Sequence, residues 1–382
     1  MFRIYADNAA TTKISQTAKN AMISAMEDIY GNPSSIHQMG MEANNALQTA
    51  REQISRCLGC MPKEIFSTSG GTESDNQAIL SAAMLGAKQN KKHIISTAFE
   101  HHAVLHTLRR LKEQGFEVQL LDVGEEGNIT AAQVEEAIRP DTCLVTAMFA
   151  NNEIGSILPV EEIGEVCRAH GILFHTDAVQ AVGHIPVSIK KQNIDLLSLS
   201  AHKFHGPKGI GVLYVKKGIE LTTIMEGGGQ ERGKRPGTEN VPASMGMAVA
   251  LEEECGSMEE HAVKLAAMRD RLIQGLSRIP NSILYGSVRN RLPGNVSFCF
   301  DGVSGESLLL LLDRRGICAS SGSACASGAL DPSHVLLALG RAPELAQGSL
   351  RISLDSTNTE EEIDYMLEVI PQVVEQLTSV PR

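Results

Sequence analysis

The sequence predicts an α/β protein with a mostly parallel central sheet in a large unit, joined to a smaller α+β unit. Two observations carry this. Between residues 93 and 215, short apolar segments alternate with stretches of helical periodicity, the pattern of strands joined by crossover helices. After about residue 260 the alternation stops, and long amphipathic segments mix with short extended ones. We expect the large unit to span 15–260 and the small one to combine 1–14 with 261–382.

The candidate strands of the large unit are His93–Thr97, Glu117–Leu121, Cys143–Phe149, Ile172–Thr176, Asp195–Ser200 and Ile210–Val215. Several are near-continuous apolar runs, as in strands covered on both faces. Between them, His101 to Gln114 carries Val104, Leu105, Leu108 and Leu111 at helical spacing and stops at Gly115. Glu161 to His170 carries Ile163, Val166 and Cys167 and stops at Gly171. A glycine just past the last periodic residue is a common helix terminator. In the small unit, Leu265, Met268, Leu272, Leu276 and Ile279 mark a long amphipathic helix,. Strands follow at Asn295–Phe300 and Ser349–Leu354, with helices around Leu308 and Ile363.

Composition narrows the class. The chain has 382 residues, 42% hydrophobic and 21% charged, enough to bury a large core and unlike a disordered protein. No apolar run approaches the roughly 18 residues that span a bilayer; the purest, Leu308 to Leu312, ends at Asp313. The segment Met1 to Asp7 has no apolar signal core, so a cytoplasmic protein is expected. Acidic residues outnumber basic ones 45 to 34, for a net charge of -11. That speaks against nucleic acid as a partner and for a small molecule or another protein. The eight cysteines are irregularly spaced, so a disulfide framework is not expected. Cys143, Cys167 and Cys299 lie in apolar patterns and read as core,. Cys57 and Cys60 form a CxxC without a second pair, and His102 and His106 stand four apart without a third ligand; no metal site is expected.

Three features at strand or helix ends point to chemistry. Lys203 follows the Asp195–Ser200 strand, at the edge where α/β proteins bind ligands; a partly desolvated lysine there can form a Schiff base. Asp177 ends the preceding strand, with Gln180 three residues on; it reads either as a helix cap or as the partner of a pyridine nitrogen. Ser69-Gly70-Gly71-Thr72-Glu73 precedes a helical stretch and offers a seat for phosphate. Together they describe a pyridoxal 5′-phosphate (PLP) site.

The motifs go further. The chain resembles the PLP-dependent cysteine desulfurases of the NifS/IscS type, within the class V aminotransferase fold. The resemblance runs nearly end to end, through Tyr5-Ala6-Asp7-Asn8-Ala9-Ala10-Thr11-Thr12, Gly31-Asn32-Pro33-Ser34-Ser35 and Thr68-Ser69-Gly70-Gly71-Thr72-Glu73-Ser74. It continues in Glu100-His101-His102-Ala103-Val104, Asn151-Asn152-Glu153-Ile154-Gly155 and His175-Thr176-Asp177-Ala178-Val179-Gln180. The last matches are Ser200-Ala201-His202-Lys203-Phe204-His205-Gly206-Pro207-Lys208-Gly209, Gly227-Gly228-Gly229-Gln230-Glu231 and Ser321-Gly322-Ser323-Ala324-Cys325.

The resemblance implies fold type I and a set of roles. Lys203 would bind PLP as an imine and carry the α-proton of the substrate. Asp177 would pair with the pyridine nitrogen, Gln180 would bond the phenolic oxygen, and His101 would stack on the ring and assist proton transfer. Thr72, Ser200, His202 and the Gly71 backbone would hold the phosphate, and Thr238 would reach it across the interface of a homodimer. Asn152 would contact cofactor and substrate, while Arg351 would clamp the substrate carboxylate. Cys325 would attack the sulfur of L-cysteine and carry it as a persulfide to an acceptor protein, such as an iron–sulfur scaffold, leaving L-alanine. The Gly/Ser/Ala stretch around Cys325 has few apolar anchors, so a mobile loop is expected there. A selenocysteine lyase or another class V PLP enzyme is the alternative of the same class. A non-catalytic sulfur-relay scaffold is the alternative of a different one.

Overall fold

The apolar runs assemble into a single large sheet, whose strand ends define one functional edge. The computed structural model describes residues 3–321 and 332–379. Its first elements are β1 (Ile4–Tyr5), α1 (Gln16–Asp28), α2 (Gln38–Leu58), β2 (Ile65–Thr68), α3 (Gly71–Ala87), β3 (His93–Thr97), α4 (His102–Glu113) and β4 (Glu117–Leu121). There follow α5 (Ala131–Ala137), β5 (Thr142–Thr146), α6 (Val160–His170), β6 (Leu173–Asp177), β7 (Leu196–Ser200), β8 (Gly211–Val215), the single turn α7 (Gln230–Gly233) and α8 (Val241–Leu276). The remainder comprises β9 (Ser282–Leu284), β10 (Asn295–Phe300), α9 (Gly305–Arg314), β11 (Ile317–Cys318), α10 (His334–Ala338), α11 (Pro343–Ala346), β12 (Ser349–Ser353) and α12 (Glu360–Thr378).

The central sheet has the order β2-β8-β7-β6-β5-β3-β4. β4, β3, β5, β6 and β7 are parallel, and β8 is antiparallel to both its neighbours. The exception has a local cause: β7 returns to β8 through the short loop that holds Lys203, and only antiparallel strands can be joined so directly. β3, β5, β7 and β8 are buried at every residue, as their continuous apolar character requires.

Element boundaries shift slightly from the sequence pattern. The strand expected at Cys143–Phe149 is regular only to Thr146, yet Ala147 N–H and Phe149 N–H still donate to the His175 and Asp177 carbonyls at 3.1 and 2.8 Å. The helix expected from His101 to Gln114 uses those two residues as its caps.

A second core lies apart from the sheet. It joins Ile4, Phe298, Leu308, Ile352 and Ile363 to Leu265, Met268, Leu272 and Leu276. It surrounds the antiparallel sheet β12-β10-β9 and the parallel pair β1–β11. α8 serves both cores: Ala243, Met247 and Leu251 pack with the central sheet, and its last turns pack with the second cluster. The parallel strands therefore end along one edge, with β12 supplied from the other core.

Candidate active site

The three features read at strand or helix ends lie at the ends of elements. The turn from β2 into α3 places Gly70 at the N-cap with φ +150°, and no side chain caps the helix. Its first amides are left to bind an anion. His101 caps α4, its Nδ1 accepting from the Ala103 N–H at 3.1 Å, so the neutral ring carries its proton on Nε2. Asp177 ends β6, and its Oδ1 accepts from the Val179 N–H at 3.0 Å. Lys203 ends the short turn after β7. Its Nζ donates to the Ala9 and Ala10 carbonyls at 2.6 and 2.8 Å. A His184 ring nitrogen lies 2.9 Å from the Lys203 carbonyl.

These groups meet in one cavity of about 270 Å³. Lys203, His101, Asp177, Gln180, Asn152 and Arg351 line it, with Gly71, Thr72, Ser200 and His202 at its helix end. There an adjoining hollow adds Thr11, Ser69 and Lys208. His202 Nδ1 lies 3.1 Å from Thr11 Oγ1, and a Cβ on Gly71 would come within 2.7 Å of Val179 Cγ2. Gln180 Nε2 donates to the Ala9 carbonyl at 3.0 Å.

Electrostatics follow from burial. Burial, reinforced by the charge of Lys203, lowers the pKa of both His101 and His202 to about 4, so both rings are neutral. Burial raises Asp177 to about 6, against the pull of the Val179 N–H and Lys203. Glu100, beside His101, is raised to about 8 by burial and accepts from Thr97 Oγ1 at 2.5 Å and from the Met148 N–H at 2.9 Å.

Arg351 is the third residue of β12 and 3% exposed, so it is no surface charge. Its guanidinium meets Asp7 Oδ1 at 2.8 Å and the Asn152 carbonyl at 3.2 Å. Asn152 is presented by Asn151, whose Oδ1 accepts from the Glu153 and Ile154 N–H groups at 2.9 and 3.0 Å.

The sequence reading did not single out Asp7, Asp75, Glu100 or Lys208 as site residues. Asp7, Glu100 and Lys208 sit inside recognised motifs, which was their available signal. Asp75 had only its place on a helix face shared with Ala78, Ile79 and Ala82, all buried. Thr238 is exposed and lines neither hollow of its own chain. Cys325 lies outside the described residues. The cysteines read as core are so: Cys143, Cys167 and Cys299 are buried, with thiols pushed to about 11, 12 and 12 by burial. His102 stacks with His106 at 4.9 Å, and a third ring, His334, lies 4.4 Å from it.

The residues fit PLP. The cavity has an amine, a buried carboxylate and an uncapped helix N-terminus at separate points, matching the coenzyme's aldehyde, ring nitrogen and phosphate.

Comparison with known proteins agrees with this geometry. Residues 4–366 match the family described as aminotransferase class-V. A cysteine desulfurase IscS of Methanosarcina thermophila is 49% identical over 377 residues, covering 99% of this chain and 93% of the relative. A solved NifS-like protein superposes with a TM-score of 0.92 at 40% identity, covering 98% of this chain and all of the other. A structure described as SspA in complex with cysteine has a TM-score of 0.81 at 37% identity, covering 93% of this chain and 99% of that one. The chain therefore belongs to the class-V aminotransferase family, among its cysteine desulfurases of the NifS/IscS type.

Proposed function

We propose that this protein is a PLP-dependent cysteine desulfurase that converts L-cysteine to L-alanine and takes the sulfur onto Cys325 as a persulfide. The observation that carries the reading is the convergence of Lys203, Asp177, His101 and Arg351 on one cavity beside the α3 N-terminus. Bound there, PLP would supply an electron-withdrawing ring that stabilises negative charge at the substrate α-carbon.

The chain's own groups do the rest. Asp177 would face the ring nitrogen, and the neutral His101 would lie against the ring. Gln180 would bond the phenolic oxygen, while Asn152 would contact coenzyme and substrate. The Gly71 amide, Thr72, Ser200 and His202 would hold the phosphate. Arg351 receives the substrate carboxylate, a task suited to a planar fork. Lys203 Nζ takes the α-proton and returns one. Cys325 attacks as a thiolate, since the neutral thiol is a poor nucleophile. In the net step the carbon–sulfur bond of cysteine breaks and a sulfur–sulfur bond forms at Cys325. The electron pair left on carbon takes up a proton, so cysteine plus thiol becomes alanine plus persulfide.

A homodimer completes the site, with Thr238 reaching the phosphate in the other protomer. The exposure of Thr238, and of the apolar Tyr30 and Ile36 at 74% and 96%, supports this. The persulfide passes to an acceptor protein, with an iron–sulfur scaffold as the first candidate. Residues 15–260 form the coenzyme-binding unit, and 1–14 with 261–382 the smaller one. We place the enzyme in the cytoplasm; among the described residues no helix is long and apolar enough to cross a membrane.

Cys325→Ser tests the assignment. The variant should keep bound coenzyme absorbance and lose cysteine-dependent sulfide release under reductant. Sulfide release at the wild-type rate would show that another group takes the sulfur.

A further inference from the structure

Asp75 is a buried acid to which the mechanism gives no task. It lies on the second turn of α3 and is 1% exposed. Its Oδ1 has no hydrogen-bond partner among the described residues. One polar atom each of Asp75, His101 and Asp177 lies within 4.8 Å of the other two. A second carboxylate this close to Asp177, out of water, needs a counter-charge or a proton.

Among the described residues no cation pairs with it. The nearest base is His175 on β6, with Nε2 3.6 Å from Asp75 Oδ1. That ring is fully buried and engaged on both sides, with Thr146 Oγ1 at 2.8 Å and Ser198 Oγ at 3.0 Å. Burial lowers its pKa to about 3, so it stays neutral. His101, at the head of α4, is neutral as well. Glu100 adds a third buried carboxyl rather than a cation. Of the two cations lining the cavity, Arg351 is paired with Asp7, and Lys203 Nζ lies on the Ala9 and Ala10 carbonyls.

We propose that Asp75 is a positioning residue: a neutral carboxylic acid that keeps the one proton of the Asp75–Asp177 pair, so that Asp177 alone turns negative charge toward the coenzyme's ring nitrogen. The proposal rests on the reading that Asp177 faces that nitrogen. The two acids are not equivalent. Burial first, then the charge of Asp177, raises Asp75 well above the usual carboxylate range, whereas Asp177 has the Val179 N–H and Lys203 to favour its ionised form. Asp177 therefore ionises first. The Ser198 hydroxyl favours the ionised form of Asp75 and is outweighed by that burial.

Infrared difference spectroscopy tests this on both coenzyme-free and loaded protein. At neutral pH the wild type should show a protonated carboxyl band that disappears in Asp75→Asn and survives in Glu100→Gln and in Glu153→Gln, which remove the two buried glutamic acids that burial raises to about 8 and about 7. The second readout is the absorbance of bound coenzyme titrated against pH. Asp75→Asn exchanges one neutral group for another and should move the midpoint by less than about 0.3 unit, whereas removing a true charge would lower it by more than about one unit. Third, Asp75→Leu should weaken coenzyme binding about tenfold, and Asp75→Asn should restore most of it. Should the leucine variant not fold, the first two readouts decide.

The proposal is overturned by a midpoint shift above one unit, or by the absence of an Asp75 carboxyl band, whether or not metal analysis then finds a cation on the pair. If Lys203→Ala and Asp177→Ala both leave the coenzyme absorbance of wild type, the site reading itself has failed. The band in coenzyme-free protein still reports the state of Asp75 separately.

Discussion

Replacing Arg351 by lysine keeps the charge and removes the fork. In the structure the guanidinium is 3% exposed and fixed from two sides, by Asp7 at 2.8 Å and the Asn152 carbonyl at 3.2 Å. A substrate carboxylate docked on it would gain two parallel charge-assisted hydrogen bonds, and a lysine ammonium at the same depth would supply one. The bond lost is worth about 1.5–3 kcal/mol, which raises KM for L-cysteine about 10- to 150-fold. The clamp holds substrate before and during reaction, so kcat should fall less than about fivefold. Steady-state alanine formation across a range of cysteine concentrations gives both constants, with coenzyme absorbance and thermal melting as checks on the site and the fold. If KM stayed within twofold of wild type while kcat collapsed, Arg351 would not be the carboxylate clamp, and its pairing with Asp7 would be a purely structural tie.

Further outcomes can be checked alongside. Gly71→Ala brings a Cβ to 2.7 Å from Val179 Cγ2 and should weaken PLP affinity about tenfold, of order 1–2 kcal/mol of overpacking. The double variant with Val179→Ala should recover most of that in a coenzyme titration, and no recovery would place the damage elsewhere. Glu100 is held protonated up to about pH 8, whereas in the unfolded chain it ionises near the ordinary carboxylate value. Between those limits the folded state binds more protons, so Glu100 makes stability fall as pH rises toward 8. Glu100→Gln should therefore flatten the decline in melting temperature between about pH 5 and 8, a gain of order 2–5 kcal/mol at the alkaline end,. An unchanged slope would mean that Glu100 is not protonated in the folded protein.

Much of the fold was legible because its patterns are local. β3 and β4 fall on the predicted residues, as does β10, since each is a short apolar or alternating run bounded by turn residues. α4 and α6 end where glycine or its neighbour interrupts the periodicity. The antiparallel direction of β8 was not legible. It depends on how the loop after Lys203 returns, and that is not a matter of composition.

The cavity residues show the same division. Lys203, Asp177, His101 and the Gly70–Gly71 turn announce their chemistry through residue type at a strand or helix end. Asp75 and Asp7 do not. An aspartate on a helix reads as solvated until packing removes the water, and an acid in the N-terminal segment reads as unrelated to a strand 344 residues later. The burial of Arg351 follows from the pairing of β12 with β10, which leaves every residue of β12 buried.

By itself, then, the order of residues determined the elements, the kinds of group available for chemistry, and the family motifs. Those depend on neighbours a few positions apart. Only the tertiary structure decided which charges are paired, which acids keep their protons and which side chains share one cavity. Those properties arise from exclusion of water and from contacts between distant segments, and neither is written in any single stretch of the chain.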